Sequence, residues 1–174
     1  MAEIKSTMDI IMEKLKRIEI SEEDKKRLLK EDAEQTAKKL MVEYIEKGNL
    51  NSIIEQLNRL KEEKREETKK ALIKESISKI RPYGDKNRKL LELISKLLKT
   101  DVSHFEEMLS SAEKKLDQIK ERCREDMLNR LKKREIYGSA VIPNVEADSN
   151  WRQILEEVSS KLRSDMNNFI SQLQ

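Results

Sequence analysis

VSHFEEMLSSAEKKLDQIKERCREDMLNRLKK, residues 102–133, decides the fold. Within it Val102, Phe105, Leu109, Ala112, Leu116, Ile119 and Cys123 recur at alternating steps of three and four. That spacing lays an apolar seam along one side of a helix, and a seam of this kind packs on another helix. Met127 and Leu131 continue it at steps of four, so the stripe drifts as the face of a straight helix drifts. No Gly or Pro interrupts the run, and at 1.5 Å per residue the helix reaches about 50 Å. The rest of the chain has to supply the opposite side of this seam.

A second heptad stripe stands near the C-terminus: Trp151, Leu155, Val158, Leu162, Met166 and Phe169, followed by Leu173, on a helix expected at about 151–172. It is the natural neighbour of the first. Working back from the seam, Leu90, Leu91, Leu93, Ile94, Leu97 and Leu98 make residues 86–99 the most apolar helix, buried on two sides. Arg81-Pro82-Tyr83-Gly84-Asp85 before it is the clearest break, because Pro disfavours helix in the preceding residue and Gly permits a turn. A helix over 22–47 opens on Ser21 with Glu22, Glu23 and Asp24 in its first turn, and Gly48 closes it in the left-handed conformation. A shorter helix is expected over 3–17, where Ile4, Met8, Ile11 and Leu15 share a face.

From a cap at Asn49 or Asn51 to Ile80 the pattern reads as one helix of about 50–80. Its middle, KEEKREETKK at 61–70, has no apolar side chain. The reading is a continuous rod solvated on all sides at that point. At the other end, 137–150 is the only long non-helical segment, and Pro143 holds Ile142 extended. Asn150 with Gln153 three residues on has the form of a capping box for the last helix.

The composition agrees with helices. Of 174 residues 41% are charged and 3% aromatic, and three Gly and two Pro leave little room for strands or hairpins. The fold class is all-α: one elongated bundle of five or six helices over 1–174, with long coiled-coil-like helices at about 50–80, 102–135 and 151–172. A sub-boundary is expected near 81–85 and an extended linker at 137–150. No apolar run approaches the roughly 18 residues of a membrane span, and the start of the chain has no hydrophobic stretch to act as a signal peptide. A cytoplasmic protein is expected. The net charge of +3 is segregated: 69–99 sum to +7 and 114–134 to +5, against −4 for 100–113.

Chemistry is hard to find. One histidine, His104, and one cysteine, Cys123, build neither a zinc site nor a His-dependent triad. His104 reads as an exposed first-turn residue and Cys123 as a small hydrophobe of the seam. The many carboxylate pairs lack the Glu-x-x-His partners of a di-iron bundle. No phosphate-binding glycine loop and no nucleophile elbow occurs. The chain is therefore expected to be non-enzymatic, with no cofactor and no metal.

Two stretches are candidates for binding. Arg81, Lys86, Arg88 and Lys89 surround Tyr83, a pattern able to grip phosphate and stack on a base, so a module for nucleic acid or another polyanion is the alternative function. Tyr137, Val141, Ile142, Pro143 and Val145 form an extended apolar strip between the two strongest heptad helices, suited to docking a partner through alternate side chains. Gly138-Ser139-Ala140-Val141, Pro143-Asn144 and Glu146-Ala147-Asp148, with the opening Ala2-Glu3-Ile4-Lys5-Ser6, resemble the same stretches in a group of small all-helical bacterial cytoplasmic proteins with no assigned activity. The resemblance implies a bacterial cytoplasmic protein and no reaction.

The expectation is a helical scaffold or adaptor that self-associates and binds another protein. Narrow stripes on a heavily charged chain point to a homodimer along part of 102–133 or 151–173. A stalk-like subunit of a larger complex follows more distantly from the solvated rod, by analogy of shape alone.

Overall fold

The computed structural model describes residues 21–173, and among these it holds six α-helices and no strand. They are α1 (Glu22–Lys47), α2 (Leu50–Asn58), α3 (Glu62–Lys79), α4 (Asn87–Leu98), α5 (Ser103–Lys132) and α6 (Ser149–Leu173). The fold is all-α. The helix expected over 3–17 lies outside the described residues.

Local chemistry sets the ends of the first helices. The Ser21 hydroxyl accepts a hydrogen bond from the Asp24 N–H at 3.0 Å, satisfying a backbone donor that the helix cannot use. Gly48 closes α1 at φ 67°, its N–H bonded to the Tyr44 carbonyl. Asn49 then caps α2 through the Ser52 N–H at 3.1 Å.

The expected single helix over 50–80 is two helices. The chain turns at Arg59-Leu60-Lys61, with no Gly or Pro to announce it, and α3 starts afresh at Glu62. The turn lets the partly buried Leu60 pack on the core. Nor is 61–70 a rod solvated on all sides. α3 runs beside α1 in the same direction, Lys64 pairs with Asp32 at 2.7 Å, and this is the most extensive helix interface in the fold. Thr68 is fully buried in it, and so are Ala33 and Ala37 of α1. A short hydroxyl residue fits a tight helix seam because it bonds backward into its own helix, here to the Lys64 carbonyl at 2.7 Å. Ser76 does the same to Leu72 at 2.7 Å.

The core gathers Leu40, Met41 and Tyr44 of α1, Ile53 and Leu57 of α2, Leu72, Ile73 and Ile77 of α3, and Leu90, Leu91, Leu93 and Ile94 of α4. The inner parts of α5 and α6 complete it with Phe105, Ala112, Leu162, Met166 and Ile170. The two seams do meet. α5 and α6 form an antiparallel hairpin, with the Phe105 and Phe169 rings edge to face at 5.3 Å near its base. The buried line of α6 is Trp151, Ser159, Leu162, Met166 and Ile170, while Leu155, Val158 and Phe169 flank it half-buried. Farther out a separate cluster forms from Leu116, Val145 and Trp151, with Ile119, Cys123 and Met127 packed against it.

Candidate interaction site

The hairpin leaves the body at the turn after α3, and Tyr83 fastens it there. Its hydroxyl donates to Asp117 Oδ1 at 2.7 Å and lies 3.1 Å from the Glu113 carbonyl, while its N–H donates to Glu113 Oε1 at 2.9 Å. To do this Tyr83, not Gly84, takes the left-handed conformation, at φ 61°. Gly84 is needed for a different reason: a Cβ there would sit 2.9 Å from Asn87 Oδ1 and 3.0 Å from the Arg81 carbonyl oxygen. Asn87 holds the turn from inside, its amide donating to the Arg81 carbonyl at 2.7 Å.

This placement disperses the basic turn. Tyr83 faces two carboxylates and its hydroxyl is already engaged. Arg81 reaches toward Glu156 of α6 at 3.9 Å. Lys89 lies over the end of α1 at Gly48, Lys86 is exposed just before α4 and Arg88 is exposed on it. The five do not converge on one pocket.

Tyr83 and Tyr44 both resist ionisation in the fold. Burial first, then the Glu92 charge, pushes the Tyr44 phenol up to about 12. For Tyr83, burial, the hydrogen bond to Asp117 and the charges of Asp117 and Glu113 push it up as well. A pKa raised in the folded state supplies stability that is intact below the unfolded value of about 10 and is lost as pH rises through the folded value. The melting temperature is therefore expected to fall between about pH 10 and pH 12, and Tyr44→Phe to flatten that fall. An equal fall in both proteins would show that Tyr44 ionisation does not limit alkaline stability.

The segment 137–150 divides in two. Its second half is pinned. Asn144 caps a 3-10 turn at Val145–Ala147, and Val145 is buried against Leu116 and Trp151. Lys120 pairs with Glu146 at 3.1 Å and stands 5.8 Å from the Trp151 ring centroid. Arg152 donates to the Glu146 and Ala147 carbonyls, both at 3.2 Å. The cap of α6 is Asp148, whose carboxylate accepts from the Asn150 N–H at 2.8 Å and the Trp151 N–H at 3.4 Å. The capping box expected of Asn150 and Gln153 is not formed, and the Gln153 side chain bonds instead to Glu157.

The first half is open. α5 ends with Glu135 in the left-handed conformation at φ 62°, the Ile136 N–H bonded to Leu131 and the Glu135 N–H to Lys132. Beyond that end Ile136 is 48% exposed, Tyr137 75% and Ile142 77%. Val141 and Pro143 are half-buried. Of the expected docking residues, then, Val145 is spent on the chain's own core, whereas Tyr137 and Ile142 face outward. Ile136 belongs with them, five residues beyond the last seam position at Leu131.

The outer half of α5 shows the same change. Phe105, Ala112 and Leu116 are buried, but Ile119, Cys123, Met127, Leu128 and Leu131 are only partly covered. Val102 and Leu109 are partly buried against the main core. His104 is exposed in the first turn, its ring 4.2 Å from Phe169. Among the described residues no group of three or more His, Cys, Asp and Glu is placed to hold a metal ion, and no helix is long and apolar enough to cross a membrane. Comparison with models of protein families, with curated proteins and with solved structures finds no match to this chain.

Proposed function

We propose that this chain is a non-enzymatic helical adaptor: a packed body on which the α5–α6 hairpin is displayed as the interaction surface. One observation carries the reading. Apolar side chains at the outer end of the hairpin, from Met127 and Leu131 to Ile136, Tyr137 and Ile142, stay partly or largely open, while the inner seam is buried. A large apolar group left in water forgoes about 1.5–3 kcal/mol, so several in sequence mark a contact still to be made.

Self-association is proposed along the outer stripe of α5. Residues 119–131 carry four cations and three acids, close to balance, so a second copy meets no single-sign field there. Both seams are largely spent inside the chain, which confines the dimer contact to this outer part of 102–133. Replacing Ile136, Tyr137 and Ile142 with Ser tests the docking role of the strip. The melting temperature is expected to hold, since these side chains support no core, while capture of partners from native extract drops at least tenfold, or about 1.4 kcal/mol. Full capture by the substituted chain would remove the strip from the function.

A further inference from the structure

The exposed strip has a basic border that differs from the stripe beside it. From 130 to 144 the chain holds four cations, Arg130, Lys132, Lys133 and Arg134, and one acid, Glu135. Residues 132–137 are exposed throughout. Basic residues at the end of a helix complement its dipole, and that accounts for Arg130 and Lys132. It does not account for Ile136 and Tyr137 standing open next to them, nor for the open Ile142, which lies farther back along α5 beside Lys120, Arg124, Asp117 and Glu121.

Charge decides between occupants. A second copy meeting this end by its own equivalent brings cation against cation, so the end is unsuited to tip-to-tip pairing. Nucleic acid satisfies the cations, but two of the three open side chains are isoleucines with no ring to stack on a base. An anionic bilayer satisfies both. Its headgroups attract Lys and Arg, and the boundary below them takes branched aliphatic side chains while a tyrosine sits with its ring apolar and its hydroxyl wet. From 136 to 142 the strip spans at most about 20 Å, so it can lie along such a surface without unfolding α5 or α6.

We propose that the hairpin end docks on anionic lipid surfaces, with Ile136, Tyr137 and Ile142 entering the headgroup boundary and Arg130, Lys132, Lys133 and Arg134 facing the phosphates. This gives a partner chemistry to the surface described above and rests on that end being an interaction surface. The geometry is peripheral: contact is made by a loop and a helix end and nothing spans the bilayer.

Sedimentation with vesicles tests it, using the full chain with phosphatidylcholine alone and with about a third phosphatidylserine. The chain is expected to pellet with the anionic vesicles at least tenfold more than with the neutral ones, and to be released by high salt. Ile136→Ser with Tyr137→Ser and Ile142→Ser should abolish pelleting, and Lys132→Glu with Lys133→Glu should do the same. Both variants should keep the parent's helical circular dichroism and its self-association, which separates lost docking from lost folding. Equal pelleting with both lipids, no pelleting with either, or pelleting unchanged in both variants overturns the proposal. So does tight binding of a DNA or RNA duplex without vesicle binding, or a dimer that dissociates in these same variants. In the dimer case the surface remains an interface and only the lipid assignment fails.

Discussion

Replacing Leu116 with Asp is expected to collapse the outer hairpin and to bring the whole protein to the edge of unfolding. Leu116 has no exposed surface and sits between Val145 and Trp151, where the returning segment meets the start of α6. Removing a buried leucine side chain alone costs about 2–5 kcal/mol. Leaving a carboxylate without a partner in the same space adds several more, against a total stability of about 5–15 kcal/mol. The expected readout is a loss of cooperative melting, or a fall of well over 10 °C, with Trp151 fluorescence shifted toward that of a solvated indole. An unchanged melting temperature would mean that the seam faces water. Glu121→Ala, an exposed neighbour on the same helix, should leave stability within about 0.5 kcal/mol.

Thr68→Glu is expected to cost nearly as much, at a place where the sequence advertises only charge. Thr68 is flanked by Glu66, Glu67, Lys69 and Lys70, yet it is fully buried in the α1–α3 interface. Glutamate there is too long for the seam and brings an unpaired charge into it, for a loss of roughly 3–5 kcal/mol. Thr68→Ser, which keeps the bond to the Lys64 carbonyl and removes one methyl, should cost about 1 kcal/mol. If the glutamate variant melts with the parent, 61–70 is solvated after all and α3 is held only by its second half.

That contrast shows where the sequence could be read and where it could not. The α5–α6 seam was legible because Leu, Phe, Met and Trp mark its faces at helical spacing. Ser21 and Gly48 were legible because caps are local chemistry, and the same chemistry narrowed the next cap to Asn49 or Asn51, of which Asn49 is the one used. The break at Arg59-Leu60-Lys61 was not, since none of these residues forbids a helix; only the pull of Leu60 toward a core assembled elsewhere turns the chain. Thr68 falls in the stretch that its charged neighbours mark as solvated, and like Ser76 and Ser159 it is buried instead. Each satisfies its hydroxyl within its own helix and then packs as a small residue. A Thr68–Leu72–Ser76 line at steps of four was the available signal. The anchoring of Tyr83 had no local sign, because Glu113 and Asp117 lie thirty and more residues away. Pro143 marked the non-helical segment, but which of its apolar residues would be buried depended on where the Trp151 cluster formed.

Sedimentation equilibrium of the parent chain and of Met127→Glu bears most directly on the central claim, that the outer half of the hairpin is an interface. Met127 is partly covered, packed at the edge of the Leu116, Val145 and Trp151 cluster, and lies on the outer stripe proposed as the dimer contact. At about 50 μM, well above a micromolar dissociation constant, the parent is expected as a dimer and Met127→Glu as a monomer with a melting temperature within a few degrees of the parent's. A parent that is strictly monomeric at that concentration would contradict the claim.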